Sequence, residues 1–275
     1  MRIRQLAPVA PLQPFIDRIW GWQADAGEVV ALPILLPGTG AELYIHHGQP
    51  FRRHTGDGGG GRVAQSHLSC LRRETVALAP TPDIGFIAVR FRAGMLSRFG
   101  VRERDVIDGA PSAEDLWGAA GRALLRTAGE HATFDNKAAL VQDFLLGLLR
   151  GRADDPLIEQ AMAMLYRRSA AISVADMSKA LDLGPRQLER RFRQVCGLTA
   201  AEFRGLSRFQ HTVRRATLAA TDSPGGIALG RGYYDQSHFI HDFHRRVGRP
   251  PRAYFAEART RTHFYNPSRS LVDMP

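Results

Sequence analysis

The segment Gly232-Tyr-Tyr-Asp-Gln-Ser-His-Phe-Ile-His-Asp-Phe-His-Arg-Arg-Val-Gly-Arg-Pro-Pro-Arg-Ala-Tyr254 divides into a turn, a helix with a narrow apolar stripe, a glycine stop and a new helix start. A degenerate copy lies upstream. Leu188, Phe192, Gly197, Ala200 and Phe203 precede Phe239, Phe243, Gly248, Pro251 and Tyr254 by the same 51 residues at every position. A stripe of two side chains per helix leaves most of each helix facing water. Those outward faces carry Arg186, Gln187, Glu189, Arg190 and Arg193 in the first copy, and Gln236, Ser237, His238, His241 and Arg245 in the second. Arginine grips guanine and glutamine grips adenine through paired hydrogen bonds, so these ten residues are the candidate contacts to double-stranded DNA.

Charge placement points the same way. The chain of 275 residues carries a formal net charge of +10. Residues 155–275 hold 19 Lys and Arg against 11 Asp and Glu, whereas residues 1–154 hold 18 against 16. The excess therefore sits with the repeat. Only Lys137 and Lys179 are lysines, a bias that genome composition can explain, but composition does not explain where the charge concentrates. With 44% apolar residues the chain has material for two cores. Cys70 and Cys196 form no spaced pattern, the start of the chain has no signal-peptide core, and the apolar stretch Val29 to Ile45 is broken by Pro33, Pro37 and Gly38. A reduced, cytoplasmic protein with no membrane association is expected.

Residues 1–150 read as an α+β domain. Short apolar runs at 29–32, 42–45, 75–78 and 84–91 predict strands, and the Arg52 to Arg62 stretch, with four consecutive glycines, predicts a hairpin loop that cannot pack. From Asp115 to Arg150 the pattern is helical, with Leu140, Phe144, Leu145 and Leu148 assigned to one face. Gly151 to Asp155 reads as a linker, after which residues 156–260 read as all helix. Asp155 caps a helix with Pro156 at its first position and a buried stripe of Ile158, Ala161, Met162 and Leu165. Ser173, with Asp176 three residues on, caps the next helix, whose buried side is Val174, Met177 and Leu181. The turn at Asp182 to Gly184 then opens the first reading helix, on which arginines 186, 190, 191 and 193 all point outward. The segment 201–220 joins the two units and Ser223-Pro224 restarts the pattern. Asp235 is expected to cap the second reading helix, and Tyr233 and Tyr234 to pack in its turn, with a phosphate contact as the alternative for Tyr234.

Two rival readings compete. His46, His47, His54 and His67 concentrate in the strand-rich half, but neighbours on a strand point to opposite faces, so His46 and His47 do not share a metal, and no acidic partner completes a site. Cys70 has no identifiable base. A metal-dependent cupin enzyme and a DNA-targeted repair enzyme therefore remain alternatives to the reading of a protein that is not an enzyme and needs no cofactor.

The C-terminal part resembles the AraC/XylS family of bacterial transcriptional regulators. The second family signature is matched by Gly232 to Tyr254 nearly throughout, the first by Leu188, Arg190, Phe192 and Gly197, and Arg208-Phe-Gln210 is similar to the family's linker helix. Asp182, Gly184 and Ala200 depart from the usual Gly, Ser and Pro. The resemblance implies paired helix-turn-helix units reading adjacent major grooves through Arg186, Glu189, Arg190, Gln236, Ser237, His238 and His241. The N-terminal half more loosely resembles the cupin-like sensing domains of such regulators, through Pro14 to Trp20, Leu36 to Gly38 and Gly85 to Phe91. That implies a small-molecule effector or a homodimer contact, with RNA polymerase as a further partner, and Trp20, Trp22, Tyr44 and His46 as candidate pocket residues.

Overall fold

A computed structural model describes residues 1–56, 59–130, 133–150, 154–219, 224–258 and 264. The N-terminal part begins with strands β1 (Arg2–Leu6) and β2 (Ile16–Gln23), followed by β3 (Val29–Val30), β4 (Ala41–His46), β5 (Arg52–Thr55), β6 (Gly60–Arg62), β7 (Ser66–Ser69), β8 (Val76–Leu78), β9 (Thr81–Pro82) and β10 (Gly85–Phe91). Five of them form an antiparallel sheet in the order β1-β2-β10-β4-β7; β6-β5-β8 form a second sheet and β3-β9 a short pair. Strands β3, β4, β8 and β10 fall on the four apolar runs. Strands β1, β2 and β7 carry charged and polar residues and gave no such signal.

Alternation along β10 assigns its two faces. Phe86 and Ala88 join Trp20, Trp22 and Tyr44 in an aromatic cluster that also takes in Phe51 and, from β8, Val76 and Leu78. Ile87, Val89 and Phe91 join Ile19, Leu43 and Ile45 in a second cluster facing the helices. With both faces covered, β10 is apolar at nearly every position.

The predicted hairpin at Arg52 to Arg62 is more ordered than expected. Its arms pair as β5 and β6, and β5 also pairs with β8, so the backbone of this stretch is used even though its glycines offer nothing to pack; residues 57–58 lie outside the described residues. Helices α1 (Ala113–Trp117), α2 (Ala119–Glu130) and α3 (Phe134–Leu148) follow. The face of α3 is rotated from the sequence assignment: Ala138, Val141 and Leu145 are buried, while Leu140, Phe144 and Leu148 flank them half-buried. Small Ala138 carries little hydrophobic signal yet permits close packing.

Beyond the expected linker, of which residues 151–153 lie outside the described residues, come α4 (Pro156–Arg167), α5 (Val174–Ala180), α6 (Pro185–Cys196), α7 (Ala200–Leu218), α8 (Pro224–Leu229), α9 (Gln236–Val247) and α10 (Pro251–Ala258). The expected restart at Ser223 also falls outside them. The helix-facing core of the sheet continues without a break into α4, α6 and the start of α7, through Ile158, Leu165, Leu188, Phe192 and Phe203. A separate cluster of Phe209, Val213, Phe239, Phe243 and Tyr254 seats α9 and α10, with Leu36 reaching in from the N-terminal part.

His46 and His67 are buried beside the aromatic cluster, their rings stacked 5.3 Å apart. Burial pushes His46 down to about 2 and His67 down to about 3, with the neighbouring histidines adding to the first and Arg53 to the second. Both rings stay neutral in the fold while the unfolded chain takes up protons near pH 6.5. Stability present above pH 6.5 is therefore lost as pH falls toward 3, by on the order of 1 kcal/mol per ring for each pH unit in that window. Urea unfolding at pH 7.5 and 5.5 should give this difference, and His46→Gln with His67→Gln should flatten it; a flat wild-type profile would contradict it.

Candidate nucleic-acid interface

The first unit is built from α5, a four-residue turn and α6. Ser173 and Asp176 form a reciprocal capping box at the start of α5, with the Asp176 amide donating to Ser173 Oγ at 3.0 Å. Leu181 and Leu183 bury their side chains around the turn while Asp182 adopts φ +50 between them. That left-handed position is where a glycine is easiest, and aspartate is among the few other residues that tolerate it. Two bonds close the turn: the Leu183 amide donates to Ser178 O at 3.0 Å, and Ser178 Oγ donates to Leu183 O. Helix α6 starts with Pro185 at its first position and no side-chain cap on Gly184. It ends at Gly197 in the left-handed conformation, φ +79.

The second unit reproduces this geometry with different chemistry. Asp235 caps α9 by accepting from the His238 amide at 2.7 Å, and Gly248, φ +76, ends it. Leu188 and Phe239, and Phe192 and Phe243, are buried at equivalent positions. Phe203 meets Phe192 at 5.6 Å and Tyr254 meets Phe243 at 5.5 Å, so each residue of the repeat has a structural counterpart. In the turn, Tyr233 is buried and its hydroxyl donates to Asp242 Oδ2 at 2.8 Å, while Arg208 of α7 lies over the Tyr233 ring at 4.4 Å. Asp242 also accepts from Arg246 at 2.9 Å and Arg245 at 2.5 Å. Burial works to raise the Asp242 carboxyl, but the Arg246 charge and the bonds from Arg245 and Tyr233 outweigh it and hold the group below its usual range. The glycine-rich α8 is helical, and Gly225 lies against the side chain of the exposed Gln236, whose Nε2 stands 2.4 Å from where a Cβ would be.

Arg186, Gln187, Arg190 and Arg193 are exposed on α6, with Glu189 half-exposed and bonded to Arg193 Nε at 3.1 Å. Gln236, Ser237, His238, His241 and Arg245 are exposed on α9. Neither set is covered by the rest of the described chain. Two expectations need correction. Arg191 does not point outward: it forms a two-pronged, largely buried bond to Asp155, at 2.8 and 2.6 Å, tying α6 to the start of α4. Tyr234 does not pack in the turn but is 89% exposed, whereas Tyr233 is buried. The exposed face of α9 also carries a residue with little signal in the sequence. Ile240 is 47% exposed on α9, off the buried stripe; its only signal was an apolar residue out of phase with Phe239 and Phe243.

The four candidate pocket residues do converge. Trp20, Trp22 and Tyr44 share one cluster, and His46 stacks on Tyr44 at 6.5 Å. Cys70 is fully buried and its thiol is pushed up to about 12 by desolvation and Glu103, which keeps it protonated and unreactive. Among the described residues, no group of three or more His, Cys, Asp and Glu is placed to hold a metal ion, and no helix is long and apolar enough to cross a membrane.

Residues 177–257 match the family model described as a helix-turn-helix domain. The chain is similar to ToxT from Vibrio cholerae, at 11% identity and TM-score 0.49, covering 86% of this chain and 97% of that one. It is also similar to the xylose-binding transcription activator XylR, at 21% identity and TM-score 0.34, over 44% of this chain and 37% of that one. No curated protein matches by sequence. Residues 177–257 thus form a helix-turn-helix domain.

Because Arg191 is committed to Asp155, Arg191→Ala should lower stability by about 1 to 3 kcal/mol in urea unfolding, as expected for loss of charged hydrogen bonds, while changing DNA affinity less than twofold. Asp235→Ala should cost about 1 kcal/mol as a lost helix cap. A stability-neutral Arg191→Ala with a large loss of DNA affinity would return Arg191 to the reading face.

Proposed function

We propose that this chain is a DNA-binding transcriptional regulator with an AraC-type helix-turn-helix domain in its C-terminal part, and that it reads two successive major grooves on one side of the duplex through α6 and α9. The supporting observation is that both reading helices sit on one rigid beam. Helix α7, 19 residues and so about 28 Å long, sends Phe203 into the core of the first unit and Phe209 into that of the second. Successive grooves on one face lie roughly 34 Å apart, a span that such a beam and its two flanking units can bridge.

Residue roles follow from side-chain chemistry. Arg186, Arg190 and Gln187 on α6, and Gln236, Ser237, His238 and His241 on α9, contact base edges, with Glu189 accepting from cytosine. Ile240 is suited to a thymine methyl group. Arg193 and Arg245, each also bonded to a carboxylate of its own helix, contact phosphate and set register. The N-terminal part is an effector-sensing module. Its signal reaches DNA through α7, where Gln210 Oε1 accepts from the Thr39 amide at 2.8 Å and Ser207 Oγ lies 3.3 Å from Thr39 Oγ1. An effector that binds unequally to two arrangements of this contact shifts how α6 and α9 fit their site. A homodimer and RNA polymerase complete the set of partners, and the setting is the bacterial cytoplasm.

Arg190→Ala should weaken binding to a selected site by about 1 to 3 kcal/mol and relax preference at one base position, whereas Arg193→Ala should weaken all sequences alike and flatten the salt slope by about 1. Competition binding on fragments recovered from genomic DNA, at several salt concentrations, separates the two. If neither substitution changes binding, α6 is not a reading helix.

A further inference from the structure

Phe264 is the one described residue beyond Ala258, and its ring is buried in the aromatic cluster between the two large sheets. Its ring centre lies 4.8 Å from that of Trp22, 5.1 Å from Trp20 and 5.9 Å from Phe86. Its carbonyl accepts a hydrogen bond from Arg18 Nη2 at 3.2 Å. A residue following the DNA-binding domain thus fills the interior of the N-terminal part.

The surroundings are more polar than a phenyl ring requires. Trp20 Nε1, both ring nitrogens of His46 and His67 Nδ1 are buried with no hydrogen-bond partner. Buried polar atoms are normally satisfied; of these four, the Trp20 nitrogen belongs to a ring that meets Phe264, and the histidine nitrogens lie one ring further on, against Tyr44 and Phe51. The two ends of the chamber also differ in charge. Around the rings the histidines are neutral, whereas the cleft of about 40 Å³ beside Phe264 gathers Arg18, Arg72, Arg90 and Arg214 against Asp17 and Glu42. Arg18 Nε is itself unpartnered, and burial lowers the Arg18 pKa, so its charge is undercompensated.

We propose that this chamber is a binding site for an aromatic acid and that Phe264 occupies it as an internal competitor. The ring, Cβ, Cα and carbonyl of Phe264 trace the skeleton of a 3-phenylpropanoate. In such a ligand the ring replaces that of Phe264 and the carboxylate replaces its carbonyl at Arg18. A carboxylate makes a stronger, charge-assisted bond there than a peptide carbonyl does, which gives a free acid the means to displace a tethered residue. A hydroxyl group on the ring would have the unpartnered Trp20 nitrogen nearby, since the Trp20 ring is 5.1 Å from that of Phe264. The cleft beside Phe264 is also lined by Gln210 and His211 of α7, so exchange of occupants happens against the helix that carries both reading units. This deepens, and rests on, the reading of the N-terminal part as an effector-sensing module.

The test is a titration of the full chain with 3-phenylpropanoate, without DNA, followed by the fluorescence of Trp20 and Trp22. Phe264→Ala should bind at least tenfold more tightly than the wild type. Adding Arg18→Gln, or replacing the acid by uncharged 3-phenylpropanamide, should reverse that gain by at least tenfold. Equal affinities in wild type and Phe264→Ala, or no saturable signal in a folded Phe264→Ala protein, would overturn the proposal. A readout on the unaltered chain stands if Phe264→Ala does not fold: 3-phenylpropanoate should change its tryptophan fluorescence saturably while 3-phenylpropanamide does not, and the absence of a saturable change would also overturn it. These measurements contain no DNA, so they succeed or fail separately from the groove-reading assignment. A protein that binds its DNA site normally yet shows none of these responses loses the aromatic-acid site alone.

Discussion

Helix α7 is the constraint on which the rest of the structure depends, because it enters two different cores and is bonded to the N-terminal part between them. Phe203 and Leu206 enter the core shared with the sheet and the first unit, and Phe209, Val213 and Ala216 enter that of the second. Between them Ser207 and Gln210, both buried, bond to Thr39. A Cβ on Gly38 would come within 2.9 Å of Gln210 Oε1, so the chain needs glycine there to lie this close to the helix. A buried glutamine without its partner costs roughly 1 to 3 kcal/mol, so the contact fixes one register of α7 against the sheet.

The two units are alike in geometry and unlike in support. The first shares a continuous apolar core with the N-terminal part, and the Arg98 to Glu159 pair, at 2.7 and 2.9 Å, adds a polar tie through α4. The second keeps its own core and touches the N-terminal part through Leu36 and a Thr75 to Arg246 hydrogen bond. Its turn is held by the Tyr233, Asp242, Arg246 and Arg208 network in place of the compact bonds of Ser178. Because Asp242 is buried and Arg246 largely so, salt screens this network little.

The aromatic chamber adds a third set of opposed demands. Large rings from β2, β4 and β10 supply apolar area, while His46 and His67 on the same inner face are kept neutral by that burial. Arg18 and Arg90 at its edge share Glu42, at 4.0 and 3.5 Å. One chamber therefore presents an uncharged wall and a cationic rim.

Local rules in the sequence determined the parts that are local in physics. The 51-residue repeat, the caps at Asp155, Ser173 and Asp235, the left-handed stops at Gly197 and Gly248 and the exposed faces of α6 and α9 each depend on neighbours within one or two helical turns. Strands β1, β2 and β7 were not legible, because their identity comes from pairing with distant strands rather than from their own polarity. Arg191 illustrates the same limit, since nothing in its helix distinguishes it from Arg190; only the approach of Asp155, 36 residues away, turns it inward. The seating of Phe264 against Arg18, 246 residues apart, and of Gln210 against Thr39, 171 apart, is likewise decided by the tertiary fold. Composition and periodicity describe which residues seek burial, but the partner that completes a long-range contact exists only once the chain has closed.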